Sequence, residues 1–494
     1  MGARRRCRIP DGPNPMPPMT QPRAQPARPT QMPGDDGPAG GRPTRLTWAW
    51  LPVAAVIVAM FYPGIMSNDS HASLEQARTL EFTSWHPPIM ALVWAVLDRI
   101  VEGPALMLVA QAVLYATACA RLCMEALPRL VERWSAWVVV PLFGLFPPAM
   151  TLNGMIWKDV WMSGLLLFAM AYLFRMANAT QRQGQVRAFA ILVLCCLLAT
   201  AFRHNAIAAT AGLLAGGVYY LWPHRHRGWQ LLRACIGGVV LAVVLLVPVT
   251  ALNRLVAEPA HVTTPILMHD IAGIIVNADE PWRAARLALS EAPNLTDQSA
   301  REFTRSIKKH YSPAAAARMV RTTRRPDAPF AINVYKLDHD AASVKRAWKV
   351  LLKTHPEAYW RHRRDAFSCL LQLCDLAAWN DHSYVLNPRY VEPHGQNIGQ
   401  AIFRKTLGSE TLARLYAPIL WLSIVIAAAI YAFFRLSTSS IIIFLGLSGI
   451  GLALSLLLTS PIESYRYVHW LTMLGWSTAL YLPTRTRKTA APAT

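Results

Sequence analysis

The residues that can do chemistry in this sequence sit in short polar knots between apolar runs. The first knot is "SNDSHASLEQARTLEFTSWHPP", Ser67 to Pro88. Asp69 follows directly on an apolar run, where an unpaired carboxylate is costly and a wet cavity or a cation relieves the cost. It can serve as a general base or as an oxygen ligand for Mg²⁺ or Mn²⁺. Equally, Asn68-Asp69-Ser70 can cap the helix that "SLEQARTLEF" suggests. Trp85-His86-Pro87-Pro88 closes the knot. Paired prolines suit a first helical turn. His86 can meet an anionic substrate, bond to the opening loop, or be purely structural.

Three further knots follow. Trp157-Lys158-Asp159 either ends a helix at the headgroups or offers a second carboxylate, with Lys158 near a phosphate. Asp69 and Asp159 could then share one divalent ion or divide base and binding roles. Arg203-His204-Asn205 breaks an otherwise apolar stretch, and its guanidinium suits phosphate or carboxylate unless it marks a tight turn with a snorkelling arginine. Arg466 lies in "PIESYRYVHW" beside Glu463, Tyr465, Tyr467 and His469. His269-Asp270 and "HPEAYWRHRRD" are weaker, because neighbours in sequence diverge on a helix. His362, Arg363 and Arg364, beside aromatics, could rest on lipid headgroups. There is no Walker loop, GxSxG, HExxH or Rossmann glycine pattern, so no nucleotide cofactor is expected.

The elements that carry these knots belong to a membrane. Of 494 residues, 53% are hydrophobic and 16% charged, and mean hydropathy is +0.26. The net charge of +21 lies mostly in tails and short loops beside apolar runs, which fixes orientation rather than binding nucleic acid. Ten runs approach the ~20 residues that span a bilayer, near 47–66, 104–122, 135–153, 160–177, 187–202, 205–222, 234–253, 414–434, 438–459 and 465–483. The run from His86 to Val101 is short and is read as a juxtamembrane helix. With that choice every short basic loop becomes cytoplasmic, as the positive-inside bias asks. All the knots above then share the outer face.

The expected fold is an all-α polytopic protein of the inner (plasma) membrane. Residues 1–46 form a disordered, Pro-rich cytoplasmic tail. Residues 47–253 form an N-terminal transmembrane region with a first extracytoplasmic loop at 67–103. Residues 254–413 form a mainly helical extracytoplasmic domain, with a loop over 380–399. Residues 414–484 form a C-terminal transmembrane region, and 485–494 a second cytoplasmic tail. Cys369 and Cys374 can pair if their segment is extracytoplasmic, although on one straight helix they point apart. No second pair supports a zinc site.

This order resembles the GT-C superfamily of integral-membrane glycosyltransferases, which includes oligosaccharyltransferases and protein mannosyltransferases. The matching residues are Asp69 in "SNDS", His86-Pro87-Pro88 at the juxtamembrane helix, and Asp159 in "WKDV", over about 47–205. The polar segment lies between spans, unlike many members, and no Trp-Trp-Asp acceptor motif is present. The resemblance implies a sugar donor on polyprenyl phosphate or diphosphate and transfer to an acceptor at the outer face. Asp69 would be base, acceptor-orienting group or, in metal-dependent members, ion ligand. Lys158, Arg203 and Arg466 would meet the lipid phosphate. The rival expectation is a transporter or flippase for a lipid-linked or anionic solute.

Overall fold

The computed structural model describes residues 48–223, 226–319, 327–331, 341–374, 414–434, 440–460 and 464–486. The tail expected over 1–46, the loop expected over 380–399, Glu463 and most of 485–494 lie outside them. All the described residues fall in one compact unit, Arg45–Thr494.

The chain is helical nearly throughout. It opens with α1 (Leu51–Phe61), α2 (Asn68–Thr79), the two-residue strand β1 (Phe82–Thr83) and α3 (Ile89–Asp98). Next come α4 (Ala105–Ala126), α5 (Pro128–Trp134), α6 (Ala136–Gly144) and α7 (Pro147–Met150). Then follow α8 (Lys158–Asn178), α9 (Arg182–Phe202), α10 (Ala206–Leu221), α11 (Arg227–Val256) and β2 (Ala257–Glu258). The polar segment supplies α12 (Thr264–Asn277), α13 (Pro281–Glu291), α14 (Ala300–His310), α15 (Ala341–Thr354) and α16 (Pro356–Leu370). The chain closes with α17 (Pro418–Phe434), α18 (Ile441–Thr459) and α19 (Tyr465–Thr486).

Among the described residues, five helices are long and apolar enough to cross a membrane: α4, α8, α9, α11 and α18. A sixth span is possible in length if α6 and the stretch Pro147–Gly154 count together, though they meet at 68°. The bend has a cause in Pro147-Pro148, which forces Phe146 out of helical geometry (ψ 118°). The expectation of about ten spans is finer than this. α1, α10 and α17 have 11, 16 and 17 residues, about 16–26 Å at ~1.5 Å per residue, against a hydrocarbon core of ~30 Å. α3 has ten residues and reaches only about 15 Å.

Helices α10, α11 and α18 pack through small residues, since lipid offers no hydrophobic drive and close backbone approach must supply the contact. A Cβ on Gly212 would stand 2.3 Å from the backbone nitrogen of Ser448, and one on Gly451 would stand 2.5 Å from the Ala208 carbonyl. α11 shows the opposite face. Ile236, Val239, Val240, Val243, Val244 and Val247 are all exposed along it, a stripe suited to lipid.

The described part of 254–413 has its own core, built on Met268, Ile271, Phe303, Phe330 and Leu351. It is helical, as expected. Two seams tie it to the bundle. β1 pairs in parallel with β2, setting Phe82 against Ala257 and Thr83 against Glu258. At the other end, Leu370 and Leu371 belong to the bundle core. There the pairing of the two cysteines, open in the sequence, is decided. α16 stops at Leu370, Gln372 turns left-handed (φ 60°), and Cys374 folds back to form a disulfide with Cys369, the Cα atoms 4.9 Å apart.

Candidate functional site

The two acidic knots are ninety residues apart in sequence, and backbone bonds bring them together. Ile65 pairs with the chain at Met155: its N–H donates to the Gly154 carbonyl at 2.9 Å, and Ile156 N–H donates back to Ile65 O at 3.0 Å. Ser67 then caps α2, in a reciprocal capping box with Ser70. Ser70 Oγ donates to the Ile156 carbonyl at 2.7 Å, and Trp157 Nε1 donates to Ser67 Oγ at 2.7 Å. The start of α2 is thus bolted to the start of α8. This settles one alternative: Ser67 and Ser70 do the capping, and the Asp69 side chain is left to other partners.

Those partners are cationic. Arg466, at the start of α19, donates from Nη1 to Asp69 Oδ2 at 2.5 Å. His86 Nε2 lies 3.8 Å from Asp69 Oδ1. Lys158 Nζ stands 2.5 Å from His86 Nδ1. An ammonium can only donate, so Nδ1 accepts and the ring proton sits on Nε2, facing Asp69. Arg203 Nη1 lies 2.9 Å from both oxygens of Asp159, whose side chain is wholly buried. Tyr467 joins the halves: the Arg203 guanidinium lies 4.5 Å over its ring and that of Arg466 5.1 Å over it. Arg466 also lies 5.0 Å over Trp157. His204 Nε2 meets Asn253 Nδ2 at 2.7 Å.

Asp69, His86, Lys158, Asp159, Arg203, His204 and Arg466 therefore gather at one end of the bundle. Burial alone would raise the Asp69 carboxyl, but Arg466, Lys158 and His86 overcome it and hold the group well below the usual carboxylate range. Burial, then the charge of Lys158, pushes His86 down to about 3, so its imidazole is neutral near neutral pH. His204 is lowered too, by burial first and then by Lys158 and Arg203. Three cationic side chains face two carboxylates, which leaves an excess of positive charge.

That balance does not fit the shared divalent ion. Asp69 and Asp159 are each engaged by their own arginine. Among the described residues no three His, Cys, Asp or Glu side chains converge as a ligand set. A cation on Asp69 would have to displace Arg466 and lie beside Lys158. The chemistry of the donors suits an anion.

The structure corrects the weaker knots. His362 and Arg363 do not rest on headgroups: both are buried, and of the arginines on α16 only Arg361 and Arg364 are exposed. Asp270, as the helical spacing implies, does not face its sequence neighbour His269. It meets Arg363 Nη2 at 2.7 Å and His362 Nε2 at 3.2 Å, and accepts from Trp348 Nε1 at 2.9 Å. His362 Nδ1 pairs with the Tyr311 hydroxyl at 2.7 Å, and His269 Nε2 donates to the Ser312 carbonyl at 2.9 Å. Arg363 also donates to the Ser460 carbonyl at 3.1 Å, tying this network to the end of α18. Gly273 makes room for it, since a Cβ there would stand 2.1 Å from His362 Cγ.

Two members of the candidate site were beyond the sequence. Asn253 is a polar residue in the last turns of a long apolar helix, which was a signal. Tyr467 stood in a cluster with nothing to mark its place between two arginines. No protein-family model, curated protein or solved structure matches the chain.

Proposed function

We propose that the chain is a membrane glycosyltransferase that takes a sugar from a polyprenyl-phosphate-linked donor. The carrying observation is the gathering of Lys158, Arg203 and Arg466 with two carboxylates, Asp69 and Asp159, at one end of a membrane bundle. Arg203 and Arg466, stacked on Tyr467, bind the donor phosphate with Lys158. Asp69 takes the proton from an acceptor hydroxyl. The acceptor oxygen bonds to the anomeric carbon as the bond from that carbon to the phosphate oxygen breaks, and its electron pair leaves with the phosphate. The cationic side chains stabilise that developing charge, which is where enzymes gain most. While Arg466 grips Asp69 the carboxylate is a poor base. An incoming phosphate competes for Arg466, and the release of Asp69 raises its basicity when substrate is present.

The same proposal includes the finer topology: ten spans, a cytoplasmic N-terminus and the polar domain outside the inner membrane. The Cys369–Cys374 disulfide supports it, since such bonds persist in oxidising compartments. The flippase reading draws less support, because the charged groups sit at one end of the bundle and do not line a path through it.

The test uses purified full-length protein, a polyprenyl-phosphate sugar and membrane extract as acceptor source. Wild type should release polyprenyl phosphate, and Asp69→Asn should reduce release about 10²–10⁴-fold, the range for a lost general base. An unchanged surface glycan profile in cells carrying Asp69→Asn at equal protein level, where deletion of the gene alters that profile, would sink the enzyme reading. Movement of intact donor across vesicles without cleavage would favour the flippase.

A further inference from the structure

α16 has two faces with different partners. The inner one buries His362 and Arg363 in the Asp270 network. The outer one shows Glu357, Trp360, Arg361 and Arg364 at helical spacing, all exposed. Beside it is a cleft of about 650 Å³ whose apolar lining includes Phe367 and Leu457.

The cleft lies at the edge of the lipid-facing surface. Leu457 is in the last turn of α18, one of the helices long and apolar enough to cross a membrane. Leu454 and Leu458 on the same helix are exposed, as lipid-facing residues would be. α16 is held there by the Arg363 bond to Ser460 O and by Leu370 in the bundle core, with Phe367 packed against that core. An exposed tryptophan at such a level suits the membrane–water boundary. Two guanidinium forks next to it match phosphate. Their own partners are weak: Arg361 meets Glu357 at 3.4 Å and Arg364 meets Asp365 at 3.6 Å, all on exposed or half-exposed side chains. Exposed pairs of this kind hold little.

We infer that the cleft between α16 and the end of α18 binds the phosphate headgroup of an anionic phospholipid. Arg361 and Arg364 clasp the phosphate, Trp360 lies against the glycerol region, and the acyl chains run along Leu454 and Leu458. The lipid seats the polar domain on the membrane. The inference needs only a lipid environment around α18 and does not depend on sugar transfer.

Native mass spectrometry of the full-length protein in neutral detergent tests it, with phosphatidylglycerol and phosphatidylcholine of equal chain length as probes. Wild type should hold one phosphatidylglycerol in preference to phosphatidylcholine. Arg361→Gln with Arg364→Gln should weaken that lipid about tenfold or more, given ~1 kcal/mol per basic residue near an anionic surface. Glu357→Gln, which removes the one carboxylate among the described residues lining the cleft, should tighten it several-fold. Unchanged affinity in the double arginine variant overturns the inference. If that variant does not fold, unchanged affinity in Glu357→Gln does so instead. Inorganic phosphate that binds the lipid-free protein and displaces the phospholipid would make this a free-phosphate site. Polyprenyl phosphate that binds here while phosphatidylglycerol does not would make it a donor site. Either result overturns the assignment.

Discussion

Arg466 is held from three sides, by Asp69 and by the rings of Trp157 and Tyr467. A lysine would keep the charge there but lose the planar stacking and the forked donors. Arg466→Lys should therefore lower transfer substantially, and Arg466→Gln should lower it about 10²–10³-fold, as for a lost oxyanion donor, measured as polyprenyl phosphate released per minute. The buried histidines set the response to acid. His86 and His269 each titrate near 6.5 when unfolded and near 3 when folded, burial being the main cause in both. Above 6.5 neither state binds a proton. As pH falls from 6.5 towards 3 the unfolded chain gains protons that the folded chain refuses, so stability falls, on the order of a few kcal/mol for each group. Asp69 acts in the same sense, its contribution present above the ordinary value of 3.8 and lost as pH drops through its lowered one. The thermal midpoint should drop steadily between pH 6.5 and 4, and less so in His269→Gln.

At the scale of elements, the candidate site depends on how α2 and α8 begin. Ser70 both completes the cap of α2 and bonds the Ile156 carbonyl. Ser70→Ala should cost about 1 kcal/mol as a cap loss, yet reduce transfer more than that figure implies, because Asp69 would shift against Lys158. A comparison of thermal midpoint with turnover separates the two effects. Much of this was legible in the sequence. The residue types and their positions at helix ends pointed to one polar face, and all seven candidates meet there. The pairing was not legible, because Ile65 and Met155 make a backbone contact that no side-chain pattern announces. The cap was read on Asn68-Asp69-Ser70 and falls on Ser67, one residue earlier, with Ser70 completing the capping box, because several neighbouring residues there can all cap. The span count is finer than the lengths of the described helices establish. α1 and α17 sit in apolar runs of about twenty residues, but prolines near their ends shorten the helices that form.

Across the whole molecule, the polar segment and the bundle are joined through one buried ion-pair network. Arg363 reaches Asp270 on one side and the Ser460 carbonyl on the other. Arg363→Met should cost about 3–5 kcal/mol, since it strands the Asp270 carboxylate, whereas Arg363→Met with Asp270→Asn should cost less than the single change. Thermal unfolding in detergent checks the order. Topology belongs to this scale as well: a reporter fused near Glu102 should read on the outer side of the membrane, and a cytoplasmic signal there would break the proposed orientation. Helical spacing already turned Asp270 away from His269, but the partner it found, on a helix about ninety positions away, was not legible in the sequence.

The bond between Asp69 and Arg466 closes a separation of 397 residues. A ribosome adding ~5–20 residues per second needs roughly 20–80 s to travel that far. Throughout that interval the carboxylate has been made and its guanidinium has not. A nascent or truncated chain therefore lacks the clamp, and the machinery becomes complete only when the last helix is in place.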